Sequence, residues 1–422
     1  MKNKFLKMES QKFIKKLKNF KVENKYQNLN DIIKEIKNSY FFSKYYNYLL
    51  LIILLFLLIY SYSIKNELSK YKKYINECKE LKRFNITKIF NEHPFLSICL
   101  PVYNMENYIE RAILSIINQP FQNFEIIIVN DNSNDNTENI IKRLKLEDDR
   151  IKIIKHIKNL GVYSSRVDAI LNAKGEYVII MDPDDMLLNP ELFKNLYNFN
   201  LNYNLDIIEF TVYHQNEGKK TIFLPDMHDL NHYHKYKKEI IYQPDLSNII
   251  FYQPNTFNYS SVICRTIWNK LIKKNILLNS IDYLEKVFKN EYLITADDTP
   301  FNMINFHFAN NYSNINLPGY LYNVRKRSMS RGNNGKKHEL IVSNNYLLYF
   351  KLFYKYIKDF RKDLNYLYYD MKIFSSYLIN FKNFKDNIYI NNTISFLNEI
   401  LNNTIISKDF EKYIKELLYC LT

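Results

Sequence analysis

Three aspartates within four residues are the clearest candidates for chemistry in this chain. Asp182, Asp184 and Asp185 directly follow the apolar run 177–181, which has the composition of a buried strand. Open α/β sheets bind ligands outside the carboxyl ends of their strands. Carboxylates this close repel one another unless a cation shares the site, and their oxygens suit Mg²⁺ or Mn²⁺. The cluster therefore predicts a divalent-metal site that carries phosphates; the alternative is an acidic turn before a helix near Pro190.

The sequence around this cluster alternates between strand and helix patterns. Strands are predicted at 96–104 (running into a loop), 125–129, 150–155 and 177–181, and helices at 108–118, 137–146 and 162–173. Regular alternation of this kind is typical of a parallel sheet with helices on both faces. We therefore expect an α/β fold in which the aspartates end the fourth strand.

Four short motifs in this region occur in a characteristic order. They are LPVYN at 100–104, VNDNSNDNT at 129–137, NLG at 159–161 with Arg166 following, and DPDD at 182–185. Together they resemble the ordered signature of family 2 glycosyltransferases, which have the GT-A fold (Rossmann-like, with a mostly parallel sheet) and use nucleotide-diphosphate sugars. The resemblance covers about residues 95–330 and departs at Asn130, where the family usually has the first of two acids; the second, Asp131, is retained.

The resemblance implies a donor-nucleotide site that includes Pro101, Tyr103, Asp131 and Arg166. Tyr103 would lie flat against the base, since an aromatic ring stacks on any base face. Asp131 would accept a hydrogen bond from a base N–H, which favours uracil or a similar edge; the alternative is an Asx turn or helix N-cap. Arg166 would contact the nucleotide phosphates or position the aspartates.

The resemblance also implies a metal site and a catalytic base. Asp184 would bind Mn²⁺ or Mg²⁺ directly, Asp182 would meet the ribose or the metal, and Asp185 would support them or cap a helix. Asp298 matches the family's acid-Asp pair at the start of a helix and would take the proton from the acceptor hydroxyl. Acids at a helix N-terminus are also ordinary dipole complementation. A third metal ligand is sometimes a histidine after the base, and His307 qualifies by order, as does His338.

Two further segments resemble parts of the same family. Residues 265–273 match a segment that precedes the base, and Trp268 within it would either face the acceptor or fill the core. The basic run 326–331 follows a predicted strand at 317–325 and resembles a loop that closes over the donor diphosphate; the alternative is a solvated run of charge. Segment 216–258 contains His228, His232 and His234, and we interpret it as an acceptor-side insertion rather than a second metal site.

Residues 45–64 form 20 positions without a charge and predict a transmembrane helix. Tyrosines flank the run at both ends, as in an interfacial belt. The basic tail 1–44 favours a type II anchor in the Golgi or endoplasmic reticulum membrane, followed by a stem at 65–94. Lysines and arginines counted only near the span point to the opposite orientation.

Charge and cysteine content exclude other classes of protein. The net charge of +15 is spread over the tail, the stem and the C-terminal segment, so no nucleic-acid partner is expected. The four cysteines have no zinc spacing and suggest no disulfide framework, and Cys99 is expected in the core. Residues 337–422 predict a helical extension that packs on the domain at 95–336 or lies against the membrane.

The sequence thus predicts a membrane-anchored, metal-dependent glycosyltransferase. It would move a sugar from a nucleotide-diphosphate donor, a UDP-sugar or similar, to a hydroxyl on a glycan, protein or lipid, with inversion. One alternative is a polyprenyl-phosphate sugar synthase of the same fold that faces the cytosol. Another is a nucleotide-sugar-binding pseudoenzyme, which Asn130 permits but the retained aspartates disfavour.

Overall fold

A computed structural model describes most of the chain from residue 92 onward. The described residues are Ser69, 92–217, 222–223, 240–243, 266–288, 298–325, 336–361, Met371, 387–402 and 406–421. The predicted transmembrane segment 45–64, the tail 1–44, most of the stem, the basic run 326–331 and the three clustered histidines lie outside them. Within the described ranges, no helix combines the length and apolarity needed to cross a bilayer.

Strands and helices alternate through the first half of the described chain, and helices dominate the C-terminal part. The strands are β1 Leu96–Val102, β2 Phe124–Asn130, β3 Ile151–Lys155, β4 Tyr177–Ile180, β5 Met186–Leu187, β6 Ile207–Asn216, β7 Ile222–Phe223, β8 Ile240–Tyr242, β9 Lys270–Lys273 and β10 Asn311–Val324. The helices are α1 Ile109–Ile117, α2 Thr137–Glu147, α3 Gly161–Asn172, α4 Leu192–Tyr203, α5 Lys274–Phe288, α6 Asp298–Phe308, α7 Lys336–Tyr356, α8 Asn387–Leu401 and α9 Lys408–Leu421; a π-helix, Ile357–Arg361, follows α7. The strands and helices predicted between residues 96 and 181 are confirmed.

The strands form one mixed sheet in the order β3-β2-β1-β4-β9-β6-β10-β5, with β7 beside β6 and β8 beside β10. The first four strands are parallel, as the alternation predicted. Strand β9 is antiparallel to both β4 and β6, whereas β6 and β10 run parallel to each other. The predicted strand at 317–325 begins earlier, at Asn311, because β10 continues along β6 through register shifts around Pro318.

The parallel part of the sheet is buried on both faces because successive side chains of a strand point to opposite sides. Ile98, Ile126 and Ile128 belong to one apolar cluster, together with Ile113 and Ile116 of α1. The alternate residues face a second cluster, which contains Cys99, Ile127 and Val129 of the strands and Val167 and Ile170 of α3. The core position predicted for Cys99 is confirmed. This double cover fixes the carboxyl ends of β1, β2 and β4 at one edge.

The C-terminal helices pack on the α/β domain that contains the sheet. Phe350 and Phe353 of α7 lie in the same buried cluster as Phe301 and Ile304 of α6. Of the two predicted placements of the extension, the described helices therefore show packing on the domain. Helix α9, which lies within the predicted helical extension, buries Phe410, Ile414, Leu417 and Leu421 in the same cluster.

Candidate active site

The loops after β1 and β2 are joined by the side chains of their own motifs. Asn104 N–H donates to Ser133 Oγ at 3.0 Å, and Asn134 N–H donates to Asn104 Oδ1 at 2.8 Å. Met105 N–H donates to Thr137 Oγ1 at 2.8 Å. Both Asn104 and Asn132 have positive φ, 53° and 61°, a backbone region that asparagine tolerates better than most residues. Much of the asparagine-rich motif therefore shapes the loops rather than contacting a ligand.

Pro101 and Tyr103 end β1 in different environments. Pro101 is buried in the sheet opposite Val129, so its side chain supports the strand end. Tyr103 lies two residues later in the loop and is 41% exposed. A ring exposed to this extent has a surface on which a nucleobase could stack.

Asn130, the departure from the family pattern, is fully buried, and its side chain bonds to the backbone of the loop after β2. Its Oδ1 accepts a hydrogen bond from Ser133 N–H at 3.0 Å. An amide oxygen performs this task as an aspartate oxygen would, because only an acceptor is required. The substitution therefore preserves the local geometry that presents Asp131.

The Asp131 carboxylate is 3% exposed and accepts two backbone N–H groups at the start of α3. Leu160 N–H donates to Oδ1 at 2.7 Å and Gly161 N–H donates to Oδ2 at 2.8 Å. His156 Nδ1 also lies 2.7 Å from Oδ1. The Asp131 carboxylate therefore caps the start of α3. This geometry is compatible with the predicted recognition of a base, because a carboxylate with about four lone-pair positions retains room for one more donor.

Arg166 connects the aspartate cluster to the predicted base. Its Nη2 donates to Asp182 Oδ1 at 3.0 Å, and its Nη1 donates to Asp298 Oδ1. The arginine side chain is only 4% exposed, whereas the two carboxylates are about a quarter exposed, at 24% and 23%. These contacts fit the second of the two roles predicted for Arg166, the positioning of aspartates.

Asp184 faces a second arginine that the sequence analysis did not assign. Arg325, at the end of β10, donates from Nε to Asp184 Oδ2 at 2.5 Å. Arg111 of α1 donates to the Asp184 backbone carbonyl at 2.9 Å, and both guanidinium groups lie 5.0 Å from the Tyr108 ring. Burial and the neighbouring Asp182 raise the pKa of Asp184, and Arg325 opposes that rise. The cluster therefore concentrates charge of both signs in a site largely shielded from water.

Asp185 is fully buried and anchors the aspartate turn to β10. Its Oδ2 accepts from Tyr320 Oη at 2.8 Å, and its Oδ1 accepts from Asn323 N–H at 2.7 Å. The Tyr320 hydroxyl in turn accepts from Asp182 N–H at 3.1 Å. The supporting role predicted for Asp185 matches this geometry, and the helix-capping alternative does not.

Trp268 lies in the core, one of the two placements that the sequence allowed. It is 8% exposed, and its ring stacks on Tyr320 with centroids 4.7 Å apart and on Tyr322 with centroids 5.4 Å apart. The stack holds the Tyr320 ring in place, and through the hydroxyl it fixes the backbone of the aspartate turn. Gly319, next to Tyr320, packs against Phe210 so closely that a Cβ there would lie 2.4 Å from Phe210 Cδ2.

Comparisons with known proteins agree with this arrangement. The family model described as "Glycosyl transferase family 2" matches residues 97–268. An uncharacterized glycosyltransferase of Methanocaldococcus jannaschii, MJ1057, is 30% identical over 244 residues, which cover 56% of this chain and 77% of that protein. The chain belongs to glycosyl transferase family 2.

Two other similar glycosyltransferases match over a smaller share of their length. An uncharacterized glycosyltransferase of Haemophilus influenzae is 38% identical over 112 residues, 26% of this chain and 44% of that protein. Glycosyltransferase GlyA of Streptococcus pneumoniae is 27% identical over 236 residues, 56% of this chain and 31% of that protein. The matched part thus spans less than half of either protein. These prokaryotic relatives lend no support to a Golgi location.

A solved structure resembles this fold as well. S. aureus TarS 1-349 in complex with UDP-GlcNAc superimposes with a TM-score of 0.50 at 18% identity, over 77% of this chain and 88% of that one. At this identity the likeness concerns the fold, and it supports the predicted α/β GT-A architecture.

The family 2 site has carboxylate oxygens that suit a hard cation, which a bound ligand would share. Asp182 and Asp184 each meet an arginine through one oxygen and retain acceptor capacity, because a carboxylate offers about four lone-pair positions. Among the described residues, no three His, Cys, Asp or Glu side chains converge as a metal site. Mg²⁺ is usually held by one or two carboxylates together with substrate phosphates and water, and this donor set fits that pattern.

The histidine predicted as a third ligand is not part of that donor set in the described chain. His307 lies on α6 with Nδ1 3.3 Å from Tyr356 Oη, and its ring centroid is 4.1 Å from that of Phe360. These contacts join α6 to the C-terminal helices, so His307 packs between elements. Nothing is described of the His338 side chain.

Sequence reasoning missed the groups that reach the family 2 motifs from distant segments. Tyr320 lies on β10 and Arg325 directly follows it, about 140 residues after the aspartate turn, and His156 follows β3. The sequence carried a signal for Arg325 only, since it ends a predicted strand directly before the basic run 326–331.

Proposed function

We propose that this family 2 protein transfers a sugar from a nucleotide-diphosphate sugar, a UDP-sugar in the first instance, to a hydroxyl acceptor with inversion. The observation that carries the proposal is the bridge from Asp182 through Arg166 to Asp298. It brings the candidate donor site and the candidate base together from segments 116 residues apart in sequence.

The donor nucleotide would bind at the carboxyl ends of β1 and β2. The exposed ring of Tyr103 would stack on the base, and the Asp131 carboxylate would accept a base N–H with its remaining lone pair. Uracil presents such an N–H beside a carbonyl. The bound UDP-GlcNAc in S. aureus TarS, which shares the fold, supports this choice of donor class.

The donor diphosphate would lie over the aspartate turn. Asp184 and Asp182 would hold a Mn²⁺ or Mg²⁺ ion there, and that ion would offset charge on the leaving diphosphate. Arg325 and Arg111, which already flank Asp184, would add positive charge at the same place. Arginine suits this task because its planar fork matches phosphate oxygens.

Asp298 would act as the general base. Its carboxylate takes the proton of the acceptor hydroxyl while the hydroxyl oxygen forms a bond to the anomeric carbon and the bond from that carbon to the diphosphate oxygen breaks. Attack on the face opposite the leaving group inverts the anomeric centre. Arg166 orients the Asp298 carboxylate through its Oδ1. The acceptor would carry its hydroxyl on a glycan, a protein or a lipid.

Residues 45–64 would tether the enzyme to a membrane. The support is the run of 20 uncharged residues with flanking tyrosines. Extraction of the full chain from membranes with alkaline carbonate tests this: an integral protein stays in the pellet. Release into the supernatant, as for a peripheral control protein, would contradict the tether.

The decisive experiment combines binding with turnover. Calorimetry with UDP is followed by a screen of nucleotide sugars for donor hydrolysis or transfer, with and without Mn²⁺. We expect UDP binding, turnover of at least one donor, and loss of both metal response and turnover in Asp184→Ala. Full activity in Asp184→Ala would refute the metal assignment. Binding of UDP without turnover of any donor would favour the pseudoenzyme, although the intact hydrogen bond of Asn130 gives that alternative little support.

A further inference from the structure

His156 lies between two carboxylates beside the candidate base-recognition residue. Its Nδ1 is 2.7 Å from Asp131 Oδ1, and its Nε2 is 2.9 Å from Asp168 Oδ2. The imidazole is 7% exposed, as buried as Asp131, whereas the Asp168 side chain is 40% exposed. The backbone N–H of His156 donates to Asn130 O at 3.0 Å, which fixes the residue beside the motif loop.

The contacts of the two ring nitrogens with Asp131 and Asp168 indicate where the imidazole carries its hydrogens. A carboxylate only accepts hydrogen bonds, so each ring nitrogen meets its partner favourably when it carries a hydrogen. The imidazolium form satisfies Asp131 and Asp168 together. In any tautomer that keeps a hydrogen on Nδ1, His156 donates to Asp131.

The hydrogen bonds to Asp131 come from three directions and fix the plane of its carboxylate. Leu160 N–H and Gly161 N–H occupy one position on each oxygen, and His156 occupies a second position on Oδ1. A second position on Oδ2 is then the acceptor left for a ligand. Without His156, both oxygens would keep free acceptor positions, and the carboxylate would lose the contact that distinguishes Oδ1 from Oδ2.

The same arrangement braces the helix that carries Arg166. Asp131 caps the start of α3, and Asp168 reaches back from the second turn of that helix to His156. Arg166 lies between these two attachment points in sequence. The base-recognition residue and the arginine that pairs with Asp298 are thus positioned by one set of contacts.

We propose that His156 is a positioning residue for the donor nucleobase, which orients the Asp131 carboxylate to accept a base N–H. The inference rests on the proposed function of this site in nucleotide binding. The consequence is selectivity for the base of the donor. Uracil has an N–H at the recognised edge and can donate a hydrogen bond to the oriented Asp131 carboxylate. Cytosine has an acceptor nitrogen at that position and cannot.

The test compares His156→Leu with His156→Asn in the full chain. The asparagine Nδ2 is placed to replace Nδ1 as the donor to Asp131, whereas leucine fills the space without a donor. We expect His156→Leu to weaken UDP binding by roughly tenfold to a hundredfold, the range for a lost hydrogen bond to a charged group. We expect His156→Asn to recover most of that loss and the preference for UDP over CDP to shrink in His156→Leu only.

Kinetics and melting separate positioning from mere structural support. In turnover assays the KM for the donor should rise more than kcat falls in His156→Leu, and Asp168→Ala should show a smaller rise of the same kind. Undiminished UDP binding in His156→Leu, or equal losses in both His156 variants that follow their melting temperatures, would overturn the role of His156 while leaving the proposed function intact. Absence of UDP binding by the unchanged protein would overturn the proposed function and this inference with it.

Discussion

Arg166 on α3 donates a hydrogen bond to Asp298, the first residue of α6, across 132 positions of sequence. The same guanidinium reaches Asp182 at 3.0 Å. A buried arginine needs acceptors for its fixed fork of donors, and two carboxylates need a counter-charge when they approach each other. This one contact therefore sets the distance between the aspartate turn and the candidate base.

Replacement of Arg166 should damage both stability and turnover. Arg166→Ala removes the guanidinium that pairs with two partly buried carboxylates, so we expect a loss of about 2 kcal/mol in the free energy of unfolding. We also expect a fall in kcat/KM of about a hundredfold or more, because Asp298 is no longer oriented. Urea titration and steady-state kinetics measure the two effects.

The matched control is Arg143→Ala, which removes an exposed arginine paired with Glu110 and Glu147. Surface ion pairs contribute about 1 kcal/mol or less, and turnover should stay unchanged. Equal effects of the two arginine variants would contradict a special role of Arg166.

Asp298→Asn should separate donor binding from chemistry. The amide keeps an oxygen that can accept from Arg166 but cannot take up a proton, so kcat should fall by about two to four orders of magnitude. UDP affinity should remain within about threefold of the unchanged protein, since less than 0.7 kcal/mol is involved. Calorimetry beside a single-turnover assay checks both, and normal transfer would show that another group is the base.

Tyr320→Phe should destabilise the aspartate turn without creating a cavity in the core. The substitution removes the hydroxyl that donates to Asp185 at 2.8 Å and accepts from Asp182 N–H, while the ring can still stack on Trp268. A lost hydrogen bond to a charged, buried acceptor costs about 2 kcal/mol. Tyr203→Phe on the surface of α4 is the control, with an expected change of about 0.5 kcal/mol or less. An unaltered melting curve for Tyr320→Phe would contradict the supporting role.

Glu125 should make stability sensitive to acid. Burial by itself raises the pKa of Glu125, but hydrogen bonds from Lys152, Ser97 and the Lys174 N–H outweigh burial and lower it. A pKa that is lower in the folded chain than in the unfolded one stabilises the fold above the ordinary glutamate value of 4.5, and this gain is lost as the pH falls through the folded-state pKa. The free energy of unfolding, measured from pH 7 to pH 3, should therefore depend less on pH in Glu125→Gln than in the unchanged protein. At pH 7 the variant should also be less stable by about 2 kcal/mol.

Glu411→Gln is the matched control for that series. Glu411 is an exposed residue of α9 that pairs with Lys415 at i,i+4. It should change stability at pH 7 far less than Glu125→Gln. A pH dependence in Glu125→Gln identical to that of the unchanged protein would show that Glu125 is not responsible.

Much of the fold followed from local patterns in the sequence. Apolar runs of strand length and helices with apolar spacing predicted β1 to β4 and α1 to α3, because burial on both faces of a parallel sheet demands them. The extent of β10 and the antiparallel insertion of β9 could not be predicted. Both depend on pairing between strands more than 30 residues apart, for which a single sequence holds no direct signal.

The same division applies to the site. The motif order by itself determined which residues end which strands: Tyr103, Asp131 and the turn at Asp182 lie where the sequence placed them. Only the tertiary structure decided their partners. The fold brings segments that are distant in sequence together, so that their side chains lie within 3 Å of each other. Arg166 joins Asp182 to Asp298, Arg325 contacts Asp184, and His156 contacts Asp131. A motif fixes where a side chain leaves the backbone, whereas packing of the whole sheet fixes which charge it meets.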